Sequence, residues 1–226
     1  MARVFNKNSI DTIIFDVDGT LFNGQSLSLP IFKNCLSILI DEFHYNLPFP
    51  SDKKILSQFG KQANDIFTDL LPEAPQDIIN SLLECVQNAE IIELRNGVGD
   101  LYNKVPTVLS KLKGRGYKLA ICTNAPKGYF NAIVERFEFK NYFQIMLAAG
   151  LFIDKNKNWM VKEIIQQLGS KNFAVVGDRH HDIEAAKTNH GLSVGCTYGF
   201  GTEEVKEADI KMSQYRRQNV EMDKKE

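Results

Sequence analysis

The sequence lacks a long apolar run. No stretch of its 226 residues approaches the roughly 20 consecutive apolar residues that a membrane-spanning helix needs. The start, Met1 to Asn6, also lacks the extended apolar core of a signal peptide. From these two absences we expect a protein without a membrane partner, located in the cytoplasm.

A large net charge is absent as well. The chain has 27 Lys and Arg residues against 28 Asp and Glu residues, which gives a net charge of -1. This balance provides no global basic field that would attract nucleic acid or an anionic membrane. We therefore expect no nucleic-acid partner, and any anion must be bound at a local site.

Cysteine is scarce and widely spaced. No two cysteines have the Cys-x-x-Cys spacing of many zinc sites and redox dithiols. The four are Cys35, Cys85, Cys122 and Cys196. We expect all four to be buried, free thiols, which agrees with a cytoplasmic location.

The composition that remains is that of a soluble globular protein. Hydrophobic residues make up 43% and charged residues 24% of the sequence, a balance that allows a sizeable core. The sequence contains no internal repeat and no low-complexity tract. A length of 226 residues fits one large domain or a core domain with a small insertion.

Three short apolar runs have the character of buried parallel strands. Each lacks the polar alternation of a half-exposed strand, and polar residues follow each run directly. The runs and the residues that follow them are Thr12 to Phe15 before Asp16, Lys118 to Cys122 before Thr123 and Asn124, and Phe173 to Val176 before Gly177 and Asp178. Carboxylate, hydroxyl and amide groups are thus expected at the carboxyl ends of strands.

Weaker strand patterns and helical periods alternate in the second half of the chain. The additional strand patterns cover Phe143 to Ala148 and Leu192 to Thr197. Helical periodicity covers Pro106 to Lys113, Tyr129 to Phe137, Trp159 to Leu168 and Asp182 to Asn189. This alternation predicts an α/β fold with a doubly wound parallel sheet.

The alternation stops between residues 21 and 96. That segment has four helical patterns, Leu27 to Phe43, Ser51 to Phe59, Asn64 to Leu71 and Asp77 to Leu94. We predict a core domain formed by residues 1–22 and 97–210 and a helical cap domain formed by residues 23–96. The cap would cover the carboxyl edge of the sheet, where open α/β folds bind ligands. Residues 211–226 are polar and are predicted to form a mobile tail or a frayed helix.

Asp16 and Asp18 flank a single residue just after the first strand, and Gly19 allows the backbone to turn there. Two carboxylates this close repel each other unless a cation lies beside them. The alternative is a capped turn with one solvated aspartate, which is the better interpretation of such a pair in isolation.

A second acidic pair, Asp178 and Asp182, follows another strand. If a helix starts nearby, two residues four positions apart share one of its faces. Four carboxylates would then meet at the ends of adjacent strands, and hard oxygen ligands of this kind suit Mg²⁺. The alternative for Asp178 is the N-cap of that helix, which leaves the pair at Asp16 and Asp18 unexplained.

Thr123 and Asn124 stand directly before Ala125 and Pro126. We predict that they cap a helix that starts with the proline. The same helix N-terminus would offer hydroxyl, amide and backbone N–H donors to an anion.

Taken in order, these motifs resemble the haloacid dehalogenase superfamily of phosphohydrolases. Within it they are similar to the phosphoglycolate phosphatase-like branch, whose helical cap follows the first strand. The resemblance spans roughly residues 10 to 210. It is carried by Asp16-Val17-Asp18-Gly19-Thr20, by Thr123-Asn124, by a following lysine, and by Gly177-Asp178 with Asp182.

The resemblance implies a chemical role for the acidic residues. Asp16 would attack phosphorus and form an aspartyl-phosphate, and Asp18 would be the general acid and base. Mg²⁺ would be the cofactor, held by the carboxylate of Asp16, the backbone carbonyl of Asp18 and Asp178, with Asp182 orienting its ligand waters.

The resemblance also implies the phosphate site and the partner. Thr123 and Asn124 would bind the phosphoryl oxygens, and a lysine would neutralise charge beside the nucleophile. Lysine is present at Lys155, Lys157 and Lys162. Lys157 fits relatives in which the lysine opens the helix, whereas Lys155 fits those with a Pro-x-Pro segment that this chain lacks. The partner would be a small phosphorylated metabolite, and the protein would be a monomer or a homodimer.

Three other functions are compatible with such a fold. A dehalogenase lacks the acid two residues after its nucleophile, so Asp18 argues against that activity. A sugar-phosphate mutase shares the core site, and it differs in that its closed cap excludes water from the aspartyl-phosphate. Asn23 stands where the family often has an acid, which weighs against a mutase role that relies on this acid. A catalytically inactive binding protein with the same fold is the third. The sequence favours the phosphatase.

Overall fold

A six-stranded parallel sheet forms the centre of the protein. The computed structural model describes residues 10–43, 49–61 and 63–213. The strands of the sheet are β1 (Thr12–Phe15), β4 (Lys118–Thr123), β5 (Ile145–Ala148), β6 (Phe173–Gly177), β7 (Leu192–Cys196) and β8 (Ile210–Met212). Their order is β5-β4-β1-β6-β7-β8.

The three strands with the strongest sequence signal are neighbours. β1 pairs with β4 on one side and with β6 on the other, so Phe15 lies opposite Ile121 and Val176. The carboxyl ends of these three strands therefore lie side by side at one edge of the sheet. This register brings the polar residues that follow each strand together.

Helices cover both faces of the sheet. They are α5 (Val105–Gly114), α6 (Lys127–Arg136), α7 (Lys157–Gln167) and α8 (His180–Thr188). Because successive side chains of a strand point to opposite faces, Phe15 packs in the cluster with α5 and α6, whereas Ile14 packs with α7 and α8. The predicted doubly wound α/β fold is confirmed.

A helical segment follows β1, as the sequence predicts. It consists of α1 (Gln25–Phe43), α2 (Asp52–Leu56), α3 (Ala63–Leu70) and α4 (Gln76–Arg95). The segment has its own apolar cluster, in which Phe32, Leu36, Ile55, Phe67 and Leu82 are buried. α4 also packs on α6 and so attaches the helical segment to the sheet layer. The division of the chain into two domains at residues 23 and 96 stays a prediction.

A two-stranded antiparallel pair lies where the helical segment joins the sheet layer. It is formed by β2 (Phe22–Asn23) and β3 (Asp100–Leu101), with Phe22 opposite Leu101 and Asn23 opposite Asp100. The two connections between the layers thus run side by side. The pair is too short to give a pattern in the sequence.

Two of the four cysteines are joined, so the expectation of four free thiols is wrong. Cys35 of α1 and Cys85 of α4 form a disulfide across 50 residues of sequence. The pairing depends on the packing of α1 against α4, which spacing along the chain does not show. Cys122 and Cys196 are free and buried, as expected. Since the pairing removes one premise of the cytoplasmic location, that location rests on the sequence alone.

The predicted tail starts too early in the chain. Lys211 and Met212 belong to β8 and pair with Gly195 and Cys196 of β7. Residues 214–226, the rest of the predicted tail, lie outside the described residues. Of the helices that the structure describes, none combines the length and the apolar character needed to cross a bilayer.

Candidate active site

Asp16 lies at the end of β1, in the middle of the carboxyl edge of the sheet. Its backbone N–H donates to the carbonyl of Val176 at 2.9 Å, which extends the pairing with β6 by one residue. The chain then turns back, because the N–H groups of Leu21 and Phe22 both donate to the carbonyl of Val17. The side chain of Asp16 is only 2% exposed. Burial of a carboxylate at this level requires a charged partner.

Gly19 allows the turn after Asp16 to approach the second acidic motif. Its φ of +79° lies in the left-handed region, and a Cβ at this position would lie 2.2 Å from Oδ2 of Asp178. A side chain would therefore be both strained and in collision with a carboxylate. The absence of a side chain at Gly19 thus allows the turn after Asp16 to lie directly against the carboxylate of Asp178.

Lys157 provides the charged partner of Asp16. Its Nζ donates to Oδ1 of Asp16 at 2.9 Å and to Oδ1 of Asp182 at 2.7 Å, and the side chain is 3% exposed. Asn156 caps α7 by accepting the N–H of Trp159 at 3.0 Å, so the helix begins at Lys157. The helix start thus determines which lysine reaches the carboxylates.

The other two candidate lysines lie away from the acidic cluster. Lys155 is exposed, and its Nζ lies 5.2 Å from the centre of the Trp159 ring. Lys162 is exposed on α7. Of the three lysines that the sequence offers, the structure places Lys157 beside Asp16.

Asp178 and Asp182 do not share a helix face, contrary to the expectation from their spacing. α8 begins at His180, so Asp178 precedes it, and Asp182 lies in its first turn. Oδ2 of Asp182 accepts the backbone N–H of Arg179 at 3.0 Å. Oδ2 of Asp178 instead accepts the N–H groups of Phe200 and Gly201, at 2.6 and 3.3 Å. The two carboxylates approach because the chain bends between them.

Two carboxylate oxygens of the cluster have no hydrogen-bond partner among the described residues. They are Oδ2 of Asp16 and Oδ1 of Asp178, both buried. Both oxygens of Asp182 are occupied, one by Lys157 and the other by the Arg179 N–H. A buried acceptor without a donor is costly, and a bound cation would remove that cost for both Asp16 and Asp178.

The charge of the cluster fits one divalent cation. Ligand atoms of Asp16, Asp178 and Asp182 lie within 4.8 Å of one another. When ionised, the three carboxylates carry two negative charges more than the ammonium group of Lys157 offsets, and Arg179, whose charge also acts on Asp178, is itself paired with Glu204. Oxygen donors in this number suit Mg²⁺, which takes one or two carboxylates and completes its shell with water and phosphate.

The ionisation of these groups reflects their burial. Burial raises the pKa of Asp16 to about 6, although Lys157 lowers it. Burial also raises the pKa of Asp178 well above its usual range, and the charges of Asp16 and Asp182 add to this. Burial lowers the pKa of Lys157, but the two carboxylates beside it outweigh this and raise the pKa above the ordinary value. A cation near the carboxylates would favour their ionised forms.

The side chain of Asp18 has its hydrogen-bond partner outside this cluster, on α6 of the sheet layer. Its Oδ1 accepts the hydroxyl of Tyr129 at 2.6 Å. Burial raises the pKa of Asp18 to about 7, while the bond from Tyr129 lowers it. A carboxyl with a pKa near neutrality is suited to give and take a proton. The sequence showed Tyr129 only as one apolar position of a helix, and no motif marks its contact with Asp18.

Thr123 and Asn124 are brought to the same edge, but they do not cap α6. Pro126 occupies the N-cap position of that helix, without a side-chain hydrogen bond, and Thr123 is the last residue of β4. The predicted cap is therefore wrong, because the strand extends further than the sequence indicates. Thr123 Oγ1 accepts the N–H of Ala125 at 3.3 Å, and Asn124 Nδ2 donates to the carbonyl of Gly60 at 3.4 Å.

A cavity of about 80 Å³ lies between the helical segment and this edge of the sheet. From the sheet layer it is lined by Asp18, Thr123, Asn124 and Tyr129. Apart from Ala125 and Pro126 of the sheet layer, its remaining walls are mostly apolar and come from the helical segment. They include Phe32, Phe59, Ile66, Phe67, Leu83 and Val86, with Ser28, Lys61, Gln87 and Glu90 as polar members.

Comparison with known proteins gives a match over most of the chain. A family model described as haloacid dehalogenase-like hydrolase matches residues 13–194. Phosphoglycolate phosphatase of Vibrio cholerae is 27% identical over 207 residues, which cover 85% of this chain and 86% of the relative. Pyrophosphatase PpaX of Bacillus pumilus is 26% identical over 202 residues, covering 88% of each chain.

Similar solved structures have the same architecture. The crystal structure of a predicted phosphoglycolate phosphatase from Haemophilus somnus 129pt superposes with a TM-score of 0.77 at 25% sequence identity. The superposition covers 91% of this chain and 95% of that one. The similarity to that structure therefore includes both the helical segment and the sheet layer.

Proposed function

Because this chain belongs to the family of haloacid dehalogenase-like hydrolases, we propose that it is a Mg²⁺-dependent phosphatase of a small phosphomonoester. The proposal is carried by one observation: Asp16 and Asp178 each present a buried oxygen without a hydrogen-bond donor, next to the ammonium group of Lys157. Phosphatases among the relatives support it.

In the first step, a carboxylate oxygen of Asp16 attacks phosphorus. An O–P bond to Asp16 forms, the bond from phosphorus to the ester oxygen breaks, and the product is an aspartyl-phosphate. The ammonium group of Lys157, 2.9 Å from Oδ1 of Asp16, offsets the negative charge of the approaching phosphate. Thr123 and Asn124 provide hydroxyl and amide groups for the phosphoryl oxygens at the end of the neighbouring strand.

Asp18 transfers the protons in both steps. It first donates a proton to the departing ester oxygen, which leaves as an alcohol. Asp18 then accepts a proton from the water that attacks the aspartyl-phosphate, and this second displacement releases inorganic phosphate and restores Asp16. The hydrogen bond from Tyr129 fixes Oδ1 of Asp18 in both steps.

The residues that would hold Mg²⁺ are the carboxylates of Asp16 and Asp178 and the backbone carbonyl of Asp18. Asp182, whose oxygens both have donors in the protein, would orient a water of the ion rather than bind it directly. When bound, Mg²⁺ lowers the charge repulsion between the carboxylates and the phosphate.

The test is a phosphate-release assay of the full chain over a panel of phosphomonoesters and pyrophosphate. We expect release with Mg²⁺, loss of activity in EDTA and recovery when Mg²⁺ is returned. Asp16→Asn should abolish release, whereas Asp77→Asn, an exposed aspartate of α4, should not change it. Activity that survives Asp16→Asn would contradict the mechanism. Isomerisation of a sugar phosphate without phosphate release would point to the mutase.

The intermediate can be observed directly. Enzyme quenched in acid during turnover and then reduced with borohydride should carry homoserine at position 16, because borohydride reduces an acyl-phosphate to the alcohol. Peptide mass spectrometry locates the change. Modification at another carboxylate would assign the nucleophile to that residue.

A further inference from the structure

The position of the cavity identifies it as the space for the leaving group. Asp18 must reach the ester oxygen in order to protonate it, so the group attached to that oxygen lies on the same side of Asp18. The cavity begins at Asp18, Thr123 and Asn124 and extends into the helical segment. Its far walls therefore contact the alcohol part of the substrate, and their chemistry decides which alcohol fits.

Those far walls are largely apolar. Phe32, Ile66, Phe67, Leu83 and Val86 contribute side chains from α1, α3 and α4. A carboxylate or a second phosphate placed against these five side chains would lose hydration without gaining a donor from them. An apolar alcohol gains from the same burial.

The single cation in the far walls is already paired. Of the described residues that line the cavity, Lys61 is the only lysine or arginine. Its Nζ lies 2.8 Å from Oδ2 of Asp69 and 2.7 Å from Oε1 of Gln58. Because the ammonium group of Lys61 is already paired, its positive charge is not free to offset the negative charge of an anionic leaving group.

Glu90 adds an acid to the wall that faces Asp18. It lines the cavity together with Ser28 and Tyr129, and Tyr129 in turn donates to Asp18. Burial, with the nearby charge of Asp18, raises the pKa of Glu90 to about 8. Below about pH 8 Glu90 is mainly neutral and offers a leaving-group hydroxyl a hydrogen bond, whereas above it the ionised carboxylate repels an anion.

We infer that the site selects phosphomonoesters of uncharged, largely apolar alcohols, and that Glu90 in its ionised form acts against leaving groups with a carboxylate near the ester bond. This inference rests on the proposed phosphatase function. It separates the chain from the relatives named after phosphoglycolate, whose leaving group, glycolate, carries such a carboxylate. It is carried by the apolar walls, the paired lysine and the position of the acid.

A matched pair of substrates tests the inference. Phosphoglycolate and 2-hydroxyethyl phosphate are nearly the same size and differ by a carboxylate in place of a hydroxymethyl group. Propyl phosphate extends the comparison to a fully apolar alcohol. We expect kcat/KM for 2-hydroxyethyl phosphate and for propyl phosphate to exceed that for phosphoglycolate by roughly tenfold or more. An equal or higher value for phosphoglycolate overturns the inference.

Glu90→Lys tests the role of the acid. Above the pKa of Glu90, at about pH 9, we expect the ratio of kcat/KM for phosphoglycolate to that for 2-hydroxyethyl phosphate to rise by roughly tenfold in this variant. Glu84→Lys is the matched control, because Glu84 is exposed on the same helix, and its ratio should equal that of the unmodified protein. An unchanged ratio in folded Glu90→Lys would assign the selectivity to the apolar walls and overturn the role of Glu90.

A failure of the inference can be told apart from a failure of the proposed function. If phosphoglycolate is the better substrate, the phosphatase stands and the inference fails. If none of the panel releases phosphate, the proposed function fails and the inference with it. Should Glu90→Lys not fold, as judged by circular dichroism, the substrate pair on the unmodified protein still decides the inference.

Discussion

The hydroxyl of Tyr129 donates a hydrogen bond of 2.6 Å to Oδ1 of Asp18. The bond joins α6 to the loop after β1, two elements more than 100 residues apart in sequence. It orients the carboxyl that we propose as acid and base. The ring of Tyr129 lies edge-on to that of Phe22 and is buried in the core, so the hydroxyl is held by packing rather than by a flexible side chain.

Tyr129→Phe should therefore lower kcat by roughly tenfold, a part of the 10²- to 10⁴-fold that a positioned acid or base contributes. KM should change little, because the phosphate is held elsewhere. Steady-state kinetics on a phosphomonoester from the panel provide the measurement. The control is Tyr142→Phe, a tyrosine that packs against the same core cluster. Equal effects of the two variants would show that the hydroxyl of Tyr129 has no special role.

Lys157 should be needed for both activity and stability. Lys157→Ala leaves Asp16 and Asp182 buried without their common cation. We expect kcat/KM to fall by roughly a hundred- to thousandfold and the free energy of unfolding to fall by about 3 kcal/mol or more. Denaturant unfolding and phosphate release measure the two effects. Lys155→Ala, the exposed neighbour, should retain both, and loss of activity in that variant instead would reverse the assignment of the lysine.

Gly199 should be intolerant of any side chain. A Cβ at Gly199 would lie 2.4 Å from Oδ2 of Asp178 and 2.4 Å from the carbonyl oxygen of Gly19. Gly199→Ala must therefore displace either the carboxylate or the turn after Asp16. We expect weaker Mg²⁺ activation, seen as a higher Mg²⁺ concentration at half-maximal activity. Gly114→Ala, at the end of α5 with nothing within 4 Å of the added carbon, should leave the Mg²⁺ dependence unchanged.

The disulfide of the helical segment can be tested by counting the reactive thiols of the protein. Denatured protein without reductant should show two reactive thiols, Cys122 and Cys196, and four after reduction. A bond across 50 residues restricts the unfolded chain, and loop-closure entropy predicts a contribution of about 4 kcal/mol. Reduction should therefore lower the thermal midpoint. A Cys35→Ala, Cys85→Ala double variant should not respond to reductant, and four thiols before reduction would contradict the pairing.

The sequence was sufficient for the sheet because buried strands and the residues after them have a local signature. Asp16 and Asp178 follow directly from β1 and β6, and the family resemblance drawn from those motifs is confirmed by the family model. The same reasoning failed where the exact last residue of a strand matters. β4 extends to Thr123, so Thr123 and Asn124 do not cap α6.

Contacts between distant elements have no local signature. Tyr129 of α6 meets Asp18 of the loop after β1, and Glu90 of α4 lies near Ser28 of α1, only when these distant elements pack together. The Cys35 to Cys85 pair depends on the packing of α1 against α4 in the same way. The lysine was an intermediate case. Asn156 is a residue type that commonly caps helices. Because it starts α7, Lys157 is the first residue of that helix and reaches the carboxylates.

Asp11 should give the protein a stability that depends on pH. Its carboxylate accepts hydrogen bonds from the hydroxyl groups of Thr12 and Ser170, at 2.6 and 2.7 Å, and from the N–H groups of Lys171 and Asn172. Partial burial raises the pKa of Asp11, but these four bonds outweigh it and lower the pKa below its usual range. The ionised form therefore ties the loop before β6 to the start of β1.

A carboxyl whose pKa is lower in the folded protein than in the unfolded chain stabilises the fold. This stabilisation is complete above the pKa of the unfolded chain and is lost as pH falls through the pKa of the folded protein. Asp11→Asn should thus lower the free energy of unfolding by about 1 kcal/mol near neutral pH, a value reduced by the partial exposure of the site. The difference between the two proteins should shrink below about pH 4. Urea unfolding across this range measures it, with Glu84→Gln, an exposed carboxylate, as the control. A difference that stays constant with pH would assign the effect to packing rather than to ionised Asp11.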